Sequence, residues 1–298
     1  MQIDSKMVGR KLKDFRVEIS RRQTTNYAAA VSDPNPVYFD DQRDGGIIAP
    51  PTLAAAVTWP IIQNIYEYID LNYSPEILLR MVHYSEQLIF YRPLRPGDVL
   101  SITGEVAAVL PTGKGTHIIF KFPAIDSKGE MVFTEYIGGA LRGVSCGDGG
   151  RGAESIPAVP QASPQQALSW EASIPITREA PYLYDGCAGV VFGIHTSPAF
   201  ARSVGLPDII YQGVATLAHA VRELVNREAG ANPTVVRALA CRFRGMVLPD
   251  SFIRVQLLQR AEDVVEKKLF FRVLNQEGRE AVSEGYMLLE KNIERGRF

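Results

Sequence analysis

Residues 32 to 39 read Ser-Asp-Pro-Asn-Pro-Val-Tyr-Phe, and residues 190 to 200 read Val-Val-Phe-Gly-Ile-His-Thr-Ser-Pro-Ala-Phe. These are two versions of one acid/base motif, each missing a different part. The first keeps Asp33 and Asn35 but carries Tyr38 where a histidine could stand. The second keeps His195 but has Val190 and Phe192 in place of the acid and the amide. A carboxylate beside an imidazole can take and return a proton at neutral pH, because histidine titrates there. Tyr38 and His195 are 157 residues apart, and the same offset sets Asp33 opposite Val190 and Asn35 opposite Phe192. Neither stretch holds the complete pair.

The elements that must position these residues also come in two copies. A short helix-like stretch, Thr24 to Val31, leads into the Asp33 motif, and Gly45 to Ala54 then opens an apolar helix running to about Ile69. In the second half the His195 motif leads into Gly205 to Ala218, which opens a helix to about Glu228. Both helices carry small residues near the start and apolar ones beyond, as a buried helix wrapped by a sheet requires. Pro60 predicts a kink or break in the first. Segments rich in β-branched and aromatic residues follow each helix. They run Val82 to Tyr91, Val99 to Val109, Thr116 to Ile125 and Met131 to Leu141, then Val235 to Arg244, Phe252 to Arg260, Val264 to Leu274 and Ala281 to Glu290. The turns match too: residues 94–98 with 247–251, and 126–130 with 275–279. Each half reads as one long helix against an antiparallel sheet, an α+β layer.

Between the halves, residues 143–166 are rich in Gly, Pro, Ser and Ala and lack apolar periodicity. They read as a flexible linker between units 1–142 and 167–298. The Gly-Asp-Gly-Gly-Arg-Gly cluster at 147–152 lacks the strand before it and the Lys-Ser/Thr after it that a phosphate cradle needs. The chain of 298 residues is 46% hydrophobic and 22% charged with a formal net charge of -1, so no field argues for nucleic acid or an anionic membrane. No apolar run approaches the ~20 residues of a membrane helix, and the start of the chain has no signal-peptide pattern. Cys146, Cys187 and Cys241 are odd in number and widely spaced, which supports neither a disulfide framework nor a zinc site and fits a reducing, cytoplasmic setting.

The residues resemble the MaoC-like, hydratase 2 class of hotdog proteins, whose motif Asp-x-Asn-Pro-x-His is followed by a Gly-containing start of the central helix. Asp33-Pro34-Asn35-Pro36-Val37-Tyr38 matches all but the last position, with Ile48 to Thr52 as the helix start. In the second half Ile194-His195 and Gln212-Gly213 are the matching pieces. The resemblance implies a double hotdog, two tandem domains packed as a pseudo-dimer, with a thioester substrate held between them. It implies hydration of a trans-2-enoyl-CoA to an (R)-3-hydroxyacyl-CoA, or the reverse dehydration. No metal or redox cofactor is implied, and CoA enters as part of the substrate.

Such a reaction needs a base for water, a proton donor for the α-carbon and a donor for the developing enolate oxygen. Backbone N–H groups at a helix start suit the last, with Gly213 and, less directly, Ala49 at the expected place. By the family pattern the first half is a holding copy in which Asp33 and Asn35 keep the turn and Tyr38 replaces the histidine; a direct catalytic role for the three is the alternative. His195 is then the candidate base. Val190 cannot serve it, so Asp185 and Gln212 are the candidate replacements for the acid. Arg92, Arg95, Arg242 and Arg244 could meet CoA phosphates or line a solvated strand edge. His83, His117 and His219 lack metal-ligand spacing, and Cys187 reads as a buried thiol. Trp59, Tyr66 and Tyr68 are expected around the first helix. The leading expectation is an enoyl-thioester hydratase or dehydratase, acting on a CoA or acyl-carrier-protein thioester. The alternatives are a non-catalytic acyl-thioester binder or supporting subunit and, more weakly, a hotdog thioesterase, with a homodimer or hetero-oligomer open.

Overall fold

The computed structural model describes residues 1–70, 77, 81–163 and 168–291. The end of the expected linker (164–166), the first residue of the expected second unit and its last seven residues lie outside them. In the first half the strands are β1 (Gln2–Ile3), β2 (Phe15–Glu18), β3 (Met81–Phe90), β4 (Val99–Ile102), β5 (Glu105–Thr112), β6 (Gly115–Ile125), β7 (Met131–Arg142) and β8 (Ser145–Cys146). In the second they are β9 (Trp170–Ile176), β10 (Val236–Phe243), β11 (Ser251–Glu262), β12 (Glu266–Leu274) and β13 (Glu280–Glu290). The helices are α1 (Arg21–Ala30), α2 (Leu53–Gln63), α3 (Ile65–Tyr68), α4 (Ala180–Ala188), α5 (Gly193–Thr196), α6 (Pro198–Ser203) and α7 (Gly213–Glu228).

One 11-stranded sheet runs β2-β4-β6-β7-β3-β10-β13-β12-β11-β9, with β5 also paired to β6. The two halves meet at the antiparallel β3–β10 seam, where Leu88 faces Leu239 and Glu86 faces Cys241. Read outward from that seam, each half repeats the same strand order, as duplication requires. Strand Val99 to Val109 of the expected repeat is divided at Thr103-Gly104, because Gly104 lets the Phe122 ring approach to 2.5 Å of where a Cβ would be. Its counterpart β11 stays continuous, with a bulge between Leu257 and Gln259.

Helix α2 is buried along most of its length, and α7 buries ten residues from Val214 to Val225. Burial all round explains why α2 reads as uniformly apolar, whereas α7 keeps Arg222, Glu223 and Arg227 for one polar side. The first helix stops at Gln63 rather than near Ile69. Pro60 removes an N–H from its last turn, and Asn64 leaves the helical conformation before the short α3. Trp59 and Tyr68 pack partly buried against the core, and Tyr66 is exposed.

Residues 143–163 lie against the two halves rather than hanging free, the stretch to Ile156 on the first and Val159, Ala162 and Ser163 on the second. Strand β8 pairs in parallel with β1, Ser5 donates its N–H and hydroxyl to Asp148, and Arg151 bridges to Val109. Gly152, at φ 88, passes so close to the Ala107 carbonyl that a Cβ would sit 2.1 Å from it. The glycine cluster thus serves close backbone packing. Among the described residues no helix is long and apolar enough to cross a membrane.

Candidate active site

The first-half motif is buried and structurally committed. Asp33 Oδ1 accepts the backbone N–H of Asn35 at 3.2 Å, and Asn35 Oδ1 caps the next turn at Val37 N–H, 3.1 Å. The Asn35 amide nitrogen reaches across to the Ala231 carbonyl at 2.8 Å, in the second half. From α7, Arg222 donates to the carbonyls of Val31 and Ser32 at 2.8 and 3.0 Å, clamping a turn whose Ser32 sits at φ 51. Burial pushes the Asp33 carboxyl above its ordinary range, opposed by the Asn35 N–H and by Arg222. Burial and the nearby Asp33 raise the Tyr38 phenol as well. No hydrogen bond or ion pair joins any of the three to His195 among the described residues.

At the helix start behind this motif the two N–H groups before the prolines are already used. Ile48 N–H bonds Val37, and Ala49 N–H bonds Leu94 at 2.8 Å, so Ala49 is engaged and is not the free donor expected. The second half repeats both bonds: Ile210 N–H to Ile194, and Tyr211 N–H to Val247 at 2.8 Å. Two residues beyond Tyr211 stands Gly213; two beyond Ala49 stands Pro51, which has no N–H. The space left between Ala49, Pro51, Phe90, Leu94, Pro233 and Val236 is about 10 Å³, no more than a single water-sized sphere. A groove of about 590 Å³ beside Arg10, Lys13, Tyr66 and Asp70 is lined by no motif residue.

In the second half, His195 is 9% exposed and its Nδ1 lies 2.8 Å from the Ile210 carbonyl. A carbonyl only accepts, so in the neutral ring Nδ1 carries the hydrogen and Nε2 is left with a free lone pair. Burial lowers the imidazole to about 4, against the opposing pull of that carbonyl. His195 is therefore a neutral, oriented acceptor at pH 7. The carbonyl that holds it is three residues from Gly213, the first residue of α7. Its N–H has no acceptor within the helix. A Cβ on Gly213 would stand 2.9 Å from the Phe243 ring, which explains the glycine.

Val190 is buried and apolar, as its sequence says. Asp185, in the last turn of α4, supplies the carboxyl that faces the backbone N–H of Phe192; this N–H lowers its pKa while burial, the larger effect, raises it. Phe192 holds the repeat position of Asn35, whose N–H bonds Asp33. Asp185 thus takes up, from a different element, the turn N–H that the missing aspartate would have faced. Its Oδ1 is buried and has no partner. Gln212, 2% exposed, donates to the Pro181 carbonyl at 2.9 Å and leaves its own oxygen buried without a partner. It ties the start of α7 to the start of α4.

The four arginines are engaged. Arg92 forks onto Asp98 at 2.8 and 2.9 Å and also reaches Asp126 at 3.1 Å, closing the strand turns, with its side chain 29% exposed. Arg95 donates to the Gly45 carbonyl at 2.6 Å. Arg242 and Arg244 both pair with Glu284, at 3.0 and 2.9 Å, and remain nearly half exposed. Of the remaining histidines, His83 meets Glu86, His117 meets Ser85 and His219 meets Tyr211. No cluster of metal-binding side chains occurs among the described residues. Burial raises the Cys187 thiol, so it is not a poised nucleophile.

Sequence reasoning missed the Ile210 carbonyl, the Phe243 ring against Gly213, and an aromatic pair, Phe192 and Phe200, next to His195. A backbone acceptor leaves no residue-type signal; Phe192 stood in the open as the residue displacing asparagine.

Residues 6–135 match a family model described as FAS1-like, dehydratase domain region, and residues 159–281 match the MaoC like domain. The chain belongs to the MaoC-like dehydratase family. It is 30% identical over 142 residues to a UPF0336 protein of Streptomyces avermitilis, covering 45% of this chain and 91% of that one. It is 22% identical over 298 residues to a probable enoyl-CoA hydratase 2 of Dictyostelium discoideum, covering 97% and 98% of the two chains. In fold it is similar to the MaoC-like dehydratase of Phytophthora capsici, with a TM-score of 0.85 and 19% identity over 97% of this chain and 99% of the other. The double hotdog architecture of this MaoC-like chain follows.

Proposed function

We propose that the second half is an (R)-specific enoyl-thioester hydratase or 3-hydroxyacyl-thioester dehydratase site, with His195 as its base. The observation that carries this reading is the neutral His195 ring, held through Nδ1 by Ile210 so that Nε2 is the accepting atom. In hydration, Nε2 takes a proton from water as its oxygen attacks C3. The C2–C3 electron pair moves toward the thioester carbonyl, whose oxygen gains charge, and C2 then takes a proton. The Gly213 N–H at the start of α7 suits that oxygen, and the Asp185 carboxyl is the second proton-exchanging group. The first half, with Pro51 at the equivalent place, is the holding copy. The substrate is a CoA or acyl-carrier-protein thioester. Three free cysteines accord with a reducing, cytoplasmic compartment, and a pseudo-dimer can stand alone, pair with itself or join a second chain.

A supporting, non-catalytic subunit is the second reading. It is favoured by one observation: no carboxylate is hydrogen-bonded to His195 among the described residues. Loss of enoyl absorbance on adding crotonyl-CoA, with chiral analysis of the product, tests the first reading. His195→Ala should lower the rate by roughly 10²- to 10⁴-fold. Tight thioester binding without turnover supports the supporting-subunit reading, and release of free CoA thiol would favour a thioesterase.

A further inference from the structure

Beside His195 the second half carries an aromatic arrangement with no counterpart in the first. The Phe192 ring lies edge-on to the His195 imidazole, centroids 6.4 Å apart, and edge-on to Phe200 at 6.0 Å. Gly193 seats Phe200, since a Cβ there would stand 2.9 Å from that ring. At the repeat positions of Phe192 and Phe200 the first half has Asn35, buried with both ends of its amide bonded, and Arg43. Phe192 and Phe200 are instead 43% and 40% exposed. Six large apolar side chains are exposed between residues 182 and 204, against one, Phe39, in the matching residues 25–47. Exposed apolar side chains are therefore more numerous in this stretch of the second half, and of them Phe192 lies against the candidate base.

We infer that Phe192 and Phe200 form the acyl subsite and that the substrate carries an aromatic ring on C3, a 3-aryl-enoyl or 3-hydroxy-3-arylpropanoyl thioester. This rests on the hydratase or dehydratase reading. Water adds to C3, so whatever C3 bears must lie beside the base that delivers the water, and that is where the Phe192 ring stands. Two edge-to-face rings offer a third ring both a face and an edge, whereas a saturated chain gains only buried area. The step is a balanced elimination or its reverse. The C2–H electron pair becomes the second C2–C3 bond as the C3–O bond breaks, and the hydroxyl leaves as water with a proton relayed by His195 and Asp185.

Dehydration of 3-hydroxy-3-phenylpropanoyl-CoA, which conjugation with the ring favours, is followed by absorbance beside 3-hydroxybutanoyl-CoA. Calorimetric binding of cinnamoyl-CoA and crotonyl-CoA runs in parallel. The aryl compound should be preferred about five- to tenfold in kcat/KM and in affinity. Phe192→Leu and Phe200→Leu, which keep apolar bulk, should each bring both ratios toward one. A ratio of one or below in the parent protein, or a preference that survives both substitutions, overturns the subsite. If neither thioester turns over while the affinity ratio holds and falls in the variants, the subsite stands and the enzymatic reading falls.

Discussion

The hydroxyls of Tyr27 and Tyr184 meet at 3.1 Å in the buried centre of the molecule, and the two residues are separated by 157 positions, the offset that also relates Tyr38 to His195. Their rings pack edge-on at 5.6 Å. Each tyrosine is thus its repeat partner's own hydrogen-bond partner, which places the pseudo-twofold axis between α1 and α4. Asp185 follows Tyr184 directly, so a contact from the first half fixes the helix that presents the Asp185 carboxyl.

Tyr27→Phe should destabilise the protein more than Tyr184→Phe. Burial raises both phenols, Tyr27 to about 12, and Tyr27 also bonds the Thr52 side chain. Removing its hydroxyl strands two buried groups, and removing that of Tyr184 strands one. Each stranded group costs about 1–3 kcal/mol. The double variant should lose less than the sum of the two singles. Urea unfolding of the three variants checks this; additive losses would show that the hydroxyls do not interact.

A second buried feature governs pH dependence. Glu86 on β3 and Glu135 on the neighbouring β7 meet near Thr58 of α2, and burial pushes both carboxyls above their ordinary range. With both ionised, three of their oxygens have no partner; one retained proton supplies the missing donor. His83 stands 3.1 Å from Glu86, but burial lowers its imidazole to about 4, so this is a hydrogen bond between neutral groups rather than an ion pair. The folded state therefore holds carboxyl protons that the unfolded chain releases. Their stabilisation is complete below the ordinary carboxylate range and is lost as pH rises through the raised folded values. All four histidines are lowered, to about 3 or 4, and act in the opposite sense. Their contribution is complete above the ordinary imidazole value and is lost as pH falls toward 4. Glu135→Gln should flatten the alkaline side only, raising the urea midpoint at about pH 8 and changing it little at about pH 5.

The halves are also tied at the motifs. Arg222 is 12% exposed in its side chain and donates to two carbonyls of the Asp33 turn while paired with Glu223 at 3.0 Å. Arg222→Ala should cost about 1.5–3 kcal/mol, the range for hydrogen bonds to a charged group. It should also speed amide exchange at Asp33 and Asn35, whose turn loses its clamp. Exchange unchanged at those two amides would assign the clamp to Asn35 and Ala231 instead.

Enrichment in β-branched and aromatic residues located the paired sheets to within a residue or two at most strand ends, because such side chains fit a pleated, buried surface and because two of the turns between strands appear in both halves. The outer strands β2 and β9 escaped, since each turns only every second residue inward and holds few β-branched or aromatic residues, and the break at Gly104 depends on a Phe122 ring that is distant in sequence. At the site, His195 and Gly213 were legible from residue type and repeat position. Pro51 in the place of Gly213 was not, since the insertion between motif and helix differs between the halves and only the backbone bonds of Ala49 and Tyr211 set the alignment. Residues 143–163 read as a free linker because glycine that permits close packing and glycine that permits flexibility look the same in a sequence.

The pH dependence of the reaction offers the sharpest check on His195. A base must be neutral to accept a proton, and an ordinary histidine is half protonated near pH 6.5. Burial moves this one to about 4, and the Ile210 carbonyl, which favours the charged ring, only partly opposes the shift. The acid limb of kcat/KM for enoyl-thioester hydration should therefore lie well below the usual histidine range, with the rate level as pH falls through about 6. Exposing the ring should bring the limb back. Val190→Asp, which puts a carboxylate at the repeat position of Asp33, should raise the limb further by favouring the imidazolium. An acid limb near 6.5 in the parent, unmoved in Val190→Asp, would mean that the group titrating in the free enzyme is not His195.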